Sequence, residues 1–340
     1  MINLNIPIFG NPLISIIIPV HNQFKYTYHC ISSIINIDPI LPYEIIIADD
    51  SSSDNTKIIE KFIYNIIVIH NEKKYNFLVN CNRASKFAKG KYLLFLNNDT
   101  KVKKEWLISL VNLIESDDKI GMVGSKLIYP NGILQEAGGI VFNDGKCLNY
   151  GKGYNADLPE FNYVKEVDYI SGASIIIRKY IWDIIGGFDE RFSPAYYEDT
   201  DLAFELRKLG FKVMYQPKSV AILFEGISNG KNIKSEIKRY QEINKYKFIK
   251  KWRKELINQE NKNNTFISRD RGHYKNRILV IDKYVPIFEK SAGERCTFIY
   301  INLLKELGFQ ITLFGNDFQK NEPYSSILQQ RGIEILYGDI

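Results

Sequence analysis

The sequence predicts an α/β protein with a mostly parallel central sheet, followed by a smaller strand–helix unit. Two observations lead there. Continuous β-branched runs such as Ile14–Val20 (ISIIIPV) and Tyr43–Asp50 (YEIIIADD) suit strands buried on both faces. Stretches with helical spacing lie between such runs, and strand–helix alternation favours parallel strands with helices packed on both faces.

The elements follow in order. Ile14–Val20 leads into a helical stretch at Lys25–Asn36. After Tyr43–Asp50, the turn residues Ser51–Asn55 can cap a helix over Thr56–Tyr64. Ile66–His70 reads as a third strand, Asn76–Lys89 as a helix closed by Gly90, and Lys91–Asn97 as a fourth strand. After Asp99 the rhythm changes. Lys103–Ser116 is helical, and Tyr129–Gly153, rich in Gly and Asn, reads as hairpins and loops. Val167–Arg178 is a strand broken by Ser171-Gly172-Ala173. A short helix Tyr180–Ile185, a helix Asp201–Leu209 and a strand Lys212–Tyr215 complete the first unit.

Lys231–Glu255 is a distinct basic segment. It holds ten basic and three acidic residues, so its charge exceeds the net +6 of the whole chain. Ile233, Ile237, Tyr240, Phe248 and Trp252 recur at near-helical spacing, which predicts a basic amphipathic helix. Gln259–Arg271 is polar and reads as a linker. Ile278–Asp282, Thr297–Leu307, Phe309–Phe314, Ser325–Arg331 and Ile333–Tyr337 then form a βαβαβ series. The expected division is residues 1–232, a helix and linker over 233–273, and a partial nucleotide-binding-type unit over 274–340.

Three strand ends carry polar groups: Pro19-Val20-His21-Asn22, Asp49-Asp50-Ser51-Ser52-Ser53-Asp54 and Asn97-Asn98-Asp99. In open α/β sheets, ligands bind at the carboxyl ends of the strands. A carboxylate there can accept hydrogen bonds from a nucleobase or ribose, or hold a divalent cation shared with phosphates. Any one of these groups alone is also ordinary turn chemistry. Glu198-Asp199-Thr200-Asp201 places three acids before an apolar helix. Capping accounts for one or two of them; clustered acids also raise one another's pKa and can serve as a base.

Composition narrows the class. Cys30, Cys81, Cys147 and Cys296 are too widely spaced for a zinc ribbon or a disulfide scaffold. No apolar run approaches the roughly 20 residues of a membrane helix. The start MINLNIPIFG lacks the basic and apolar pattern of a signal peptide, which predicts a cytoplasmic location. No glycine fingerprint follows the first strand, which opposes a dinucleotide-dependent oxidoreductase. No base-reading motif accompanies the basic helix, so nucleic acid is not an expected partner. Packing of the apolar stripe on the first unit, or peripheral contact of 231–255 with an anionic membrane surface, are the remaining readings.

Seven segments, ISIIIPVHN, EIIIADDSSSDNT, GKYLLFLNNDT, YISGAS, GGFDERF, YYEDTDLAFELRKLGFKVMYQP and FEGISNG, resemble in order and spacing the family 2 glycosyltransferases of the GT-A fold. The likeness covers about residues 13–232 and is strongest to the branch that builds O-antigen and related surface polysaccharides. It implies inverting transfer of a sugar from a nucleotide-sugar, UDP- or dTDP-linked, to a glycan or lipid-linked acceptor, with Mn²⁺ or Mg²⁺ as cofactor. By the same resemblance Pro19 and Asn22 contact the nucleoside, Asp50 the base, Asn97-Asn98-Asp99 takes the place of an Asp-x-Asp motif that binds the donor, and Asn98 lies near the ribose and diphosphate. Asp99 is the metal ligand, Ser171, Gly172 and Ala173 form the loop beside the donor sugar, and Asp199 is the general base with Glu198 beside it. Two positions depart from the pattern: Leu223 stands where many relatives have His, and Asn76 where many have Gly. They motivate a second reading, a catalytically weak or inactive nucleotide-sugar- or glycan-binding scaffold. The segment from Ile278 to Phe314 resembles the first half of a family 4, GT-B-fold glycosyltransferase, which implies no transferase activity of its own.

Overall fold

The computed structural model describes residues 2–36, 41–224, 234–262, 264–271 and 276–338. The FEGISNG segment beyond Phe224, and Ile233, lie outside the described residues, as does the side chain of Ile237.

The centre is one mixed sheet. Its strands run, side by side, Lys165–Glu166, Lys212–Leu223, Ile120–Ile128, Ser174–Arg178, Tyr92–Leu96, Ile14–Val20, Tyr43–Asp49 and Ile67–His70. The last four pair in parallel. Ser174–Arg178 is antiparallel to both of its neighbours, and Lys212–Leu223 is parallel to Ile120–Ile128. Ile14, Ile16, Ile17 and Ile18 are fully buried, as a strand covered on both faces requires. The helix Asn76–Ser85 covers one face with Leu78, Cys81 and Ala84; the helices Phe24–Ile35 and Trp106–Glu115 cover the other.

Several elements differ from the sequence-based expectation. Asn55–Lys61 is a 3₁₀ segment rather than an α-helix to Tyr64, and Ile58 leaves helical geometry within it. Ile63–Tyr64 instead pairs in parallel with Leu4–Asn5. The strand Ile120–Ile128 has no counterpart in the sequence reading, which its glycines and Lys126 disguise. Gly124 is required by packing: a Cβ there would meet Ile170 Cγ2 at 1.8 Å. The expected strand Val167–Arg178 is regular only over Ser174–Arg178. Lys212–Tyr215 continues to Leu223, and the helix expected from Asp201 starts at Glu198.

The basic segment forms the helix Lys234–Lys251 and a short turn Arg253–Leu256. Phe248, Trp252 and Leu256 are buried in the same core as Tyr197 and Phe204. Lys251 reaches Asp201 at 2.8 Å, Glu205 at 2.9 Å and Asp189 at 3.0 Å. The apolar stripe therefore packs on the first unit, and part of the charge is spent in a half-buried ion network. Burial pushes Asp201 up to about 6 even with Lys251 and Trp252 pulling it down.

Gln259–Arg271 is packed rather than a free linker. It contains the helical turn Thr265–Ser268. Arg269 is 3% exposed and pairs with Glu334 at 2.6 Å. Tyr163 donates to Asp270 at 2.7 Å. The last unit is a three-stranded parallel sheet, Arg277–Asp282, Gln310–Gly315 and Glu334–Leu336, with helices Ala292–Glu306 and Tyr324–Gln330. The first of these helices starts five residues before its expected Thr297, because the Ser291 hydroxyl caps it by accepting from Glu294 N–H.

Candidate active site

One cleft of about 700 Å³ opens at the carboxyl ends of the parallel strands. Pro19, Asn22, Asp50, Asn97, Asn98, Asp99, Ser171, Gly172, Ala173, Glu198 and Asp199 all line it. Residues up to 180 positions apart in the chain thus share one surface, because parallel strands deliver their ends to the same edge.

The strand ends that carry Asn22 and Asp50 are tightly crosslinked. The Asn22 side-chain oxygen accepts from the N–H groups of Ser53 (2.8 Å) and Asp54 (3.2 Å), and Asn22 N–H donates to Ser52 Oγ at 2.7 Å. Asp50 is 3% exposed; its carboxylate accepts from Tyr75 N–H at 2.6 Å and Asn76 N–H at 2.8 Å. It therefore caps the helix Asn76–Ser85, and a carboxylate oxygen with one partner still accepts another.

Asn97 N–H donates to Ala173 O at 2.9 Å, which ties the fourth strand end to the loop Ser171–Ala173. The Asn98 amide donates to Thr27 Oγ1 at 3.1 Å. Asp99 is 6% exposed, and Leu223 lies opposite Thr100 in the adjoining strand pair. Leu223 is 7% exposed and packs in the core cluster that holds Val102 and Ala173. No group of three or more His, Cys, Asp or Glu side chains that could hold a metal occurs among the described residues. One strand-end carboxylate fits a Mn²⁺ or Mg²⁺ that completes its oxygen shell with phosphates and water, and does not fit a metal held by protein alone.

The acids Glu198 and Asp199 open the helix Glu198–Lys208. Asp199 Oδ2 accepts from Gly172 N–H at 3.1 Å, and Oδ1 accepts from Thr200 N–H at 2.7 Å and Thr200 Oγ1 at 3.2 Å. Glu198 Oε2 is buried with no hydrogen-bond partner among the described residues. Burial raises both carboxyls above their ordinary range, and Asp199 raises Glu198 further, to about 8. The donors around Asp199 favour its ionised form, so Glu198 is the carboxyl of the pair that stays protonated near neutral pH.

Backbone strain collects at this site. Among the described residues other than glycine, Asn22, Gln23, Ser51, Asn76, Tyr196 and Tyr197 have positive φ at or beside the cleft. Two consecutive tyrosines with φ of 74° and 71° are outliers that only their surroundings can hold. The surroundings do so. Asn244, fully buried on the helix Lys234–Lys251, donates to Phe192 O at 2.6 Å, Ala195 O at 2.8 Å and Tyr196 O at 3.2 Å. Tyr197 OH donates to Gly145 O at 2.9 Å.

Sequence reading missed three contributors. Glu136, fully buried, accepts from Ser171 N–H at 2.9 Å and holds the other end of the loop that Asp199 holds. Burial pushes its carboxyl up to about 8, and the Asp199 charge adds to the rise. Asn244 and Tyr240 reach the site from the basic helix. Glu136 sits in a Gly-rich stretch that reads as loop, and no local pattern marks it.

The family model for glycosyl transferase family 2 matches residues 15–185. The uncharacterized protein y4gI of Sinorhizobium fredii is 28% identical over 238 residues, 66% of this chain and 26% of that protein. The O-antigen biosynthesis protein RfbC of Myxococcus xanthus is 26% identical over 232 residues, 65% of this chain and 18% of its own length. The chain thus spans about a quarter or less of these two relatives. Among solved structures, GalNAc-T7 with UDP, GalNAc and Mn²⁺ superposes with a TM-score of 0.57 at 16% identity, over 73% of this chain and 49% of that one. With the strand-end cleft and a family model spanning half the chain, this protein belongs to glycosyl transferase family 2.

Proposed function

We propose that the chain is an inverting glycosyltransferase. It moves a sugar from a UDP- or dTDP-sugar to a hydroxyl of a glycan or lipid-linked acceptor in surface-polysaccharide synthesis. The observation that carries this reading is the meeting of Asp99, the loop Ser171–Ala173 and the Glu198–Asp199 pair in one cleft. The relative RfbC supports the polysaccharide context, and the UDP and Mn²⁺ of GalNAc-T7 support the donor and cation.

In this reading the nucleoside lies against Pro19, Asn22 and Asp50, with the diphosphate near Asn97, Asn98 and Asp99. Asp99 would hold a divalent cation, which would offset the charge that develops on the leaving diphosphate. The Ser171–Ala173 loop, tied down by Glu136, Asp199 and Asn97, orients the donor sugar. Asp199 accepts the acceptor hydroxyl proton as that oxygen bonds to the anomeric carbon and the bond to the diphosphate breaks. Neutral Glu198 keeps a second negative charge away from Asp199.

Turnover of UDP-, dTDP- and GDP-sugars with Mn²⁺ or Mg²⁺ tests the reading. Failure of every donor overturns it. Leu223 beside Thr100 favours the second reading, an inactive nucleotide-sugar- or glycan-binding scaffold. Calorimetric binding of UDP without any turnover selects it.

No helix among the described residues is long and apolar enough to cross a membrane. We place the protein in the cytoplasm, on the inner face of the membrane where a lipid-linked acceptor sits. The contact runs through residues 231–255, where Tyr246 is 71% exposed beside exposed Lys250, Arg253 and Lys254. Sedimentation with anionic liposomes at low salt tests the contact, and absence of binding at every salt concentration ends it. The division at residues 232 and 273, and the family 4-like character of the 274–340 unit, belong to this proposal.

A further inference from the structure

The proposed base constrains where an acceptor can lie. Its hydroxyl must reach Asp199, so the rest of its ring rests on the cleft wall next to Glu198 and Asp199. That wall is formed by Pro194, Ala195 and Tyr196, the residues just before the pair, and by Tyr240 from the helix Lys234–Lys251. Tyr196 and Tyr240 are each 37% exposed. Both are large aromatic side chains kept accessible in the cleft.

Their neighbourhood is built rather than incidental. Tyr240 and Asn244 are four residues apart on one helix and share a face. Asn244 donates to Ala195 O at 2.8 Å and Tyr196 O at 3.2 Å. The same helix turn therefore holds the strained Tyr196 backbone and presents Tyr240 beside it. Lys247 reinforces the clamp by donating to Asn244 Oδ1 at 2.9 Å and to Arg191 O at 2.6 Å. A pyranose presents a face of C–H groups rimmed by hydroxyls. That face suits an aromatic ring, and the rim suits the polar side chains that share the cleft.

We propose that Tyr196 and Tyr240 form the acceptor subsite and take a pyranose ring of the acceptor glycan. This deepens the proposed transferase reading and rests on its assignment of Asp199. The helix Lys234–Lys251, which lies beyond the family-matched residues 15–185, thereby contributes a substrate-binding side chain.

Saturation-transfer NMR on the full chain with methyl glycosides of glucose, galactose, N-acetylglucosamine and rhamnose tests the subsite. UDP with Mn²⁺ is titrated separately on the same chain. At least one glycoside gives ring-proton signals, Tyr240→Ala weakens it roughly fivefold to tenfold, and Tyr240→Phe retains it. The proposal is overturned if no glycoside binds, if Tyr240→Ala leaves glycoside affinity unchanged, or if the loss falls on UDP instead. Glycoside binding without UDP binding would sink the donor reading and leave the subsite standing.

Discussion

Asp199 Oδ2 accepts a 3.1 Å hydrogen bond from the Gly172 backbone N–H, joining the helix-opening acid to the loop between the two edges of the cleft. The proposed base and the proposed donor-sugar loop are therefore one mechanical unit. Asp199→Asn keeps the shape and removes the basic oxygen, so transfer falls by about 10²- to 10⁴-fold. Donor affinity, measured by UDP titration, changes little. Equal transfer rates in the two proteins would refute the assignment.

The Glu198–Asp199 pair sets the pH profile. Burial raises Asp199, so it loses its proton at higher pH than an ordinary aspartate, and transfer rises with pH along an acid limb. Glu198 is still neutral where Asp199 ionises, so Glu198→Gln leaves the acid limb of kcat in place. A limb that moves to lower pH would show that Glu198 carries charge in that range.

Glu136 makes a separate prediction about stability. In the fold its carboxyl is pushed up to about 8, while in the unfolded chain it ionises near 4.5. Between those values the folded chain binds more protons, so stability falls as pH rises and the loss is complete above about 8. Glu136→Gln keeps an oxygen for the Ser171 N–H and cannot ionise. Its melting temperature, relative to wild type, gains progressively from pH 5 to pH 8. A constant difference over that range would show that Glu136 is not the responsible group.

Lys251 anchors the basic helix on a buried acid. Its side chain is 17% exposed and that of Asp201 is 2% exposed. Lys251→Ala leaves Asp201 with Trp252 Nε1, which donates at 2.7 Å, and without a cation. Urea unfolding is expected to show a loss of about 3 kcal/mol, typical of breaking one side of a buried ion pair. A loss under about 1 kcal/mol would mark the contact as a screened surface pair.

Asp99 is the one strand-end carboxylate assigned to a cation. Asp99→Asn keeps its size and removes the charge. Calorimetry of UDP with and without Mn²⁺ shows tighter binding with Mn²⁺ in the wild type and no Mn²⁺ effect in the variant. A preserved effect would move the cation elsewhere.

The chain itself was informative wherever local chemistry and fold agree. Parallel strands buried on both faces read as unbroken runs such as ISIIIPV, and their ends read as polar residues after such a run. The strand-end residues Pro19, Asn22, Asp50, Asn97, Asn98 and Asp99 were therefore legible before any coordinates, Glu198 and Asp199 read as an acid cluster, and Ser171, Gly172 and Ala173 came through the family resemblance alone. Turn chemistry misled at Thr56–Tyr64, where a strand pairing with Leu4–Asn5 overrides helix propensity. The strand Ile120–Ile128 was hidden because Gly124 is chosen by the packing of Ile170, a residue 46 positions away.

Tertiary structure alone decided the rest. Periodicity showed that the basic helix has an apolar stripe, but a stripe does not name the surface it meets. The fold sends Phe248 and Trp252 into the core, Asn244 onto the strained Tyr196 turn and Tyr240 into the cleft. Glu136 takes its role from Ser171, 35 residues on. The strand ends share an edge because strand direction places them there, and that much is written in local pattern. The groups that hold those ends in working geometry come from distant segments, and only the folded chain brings them together.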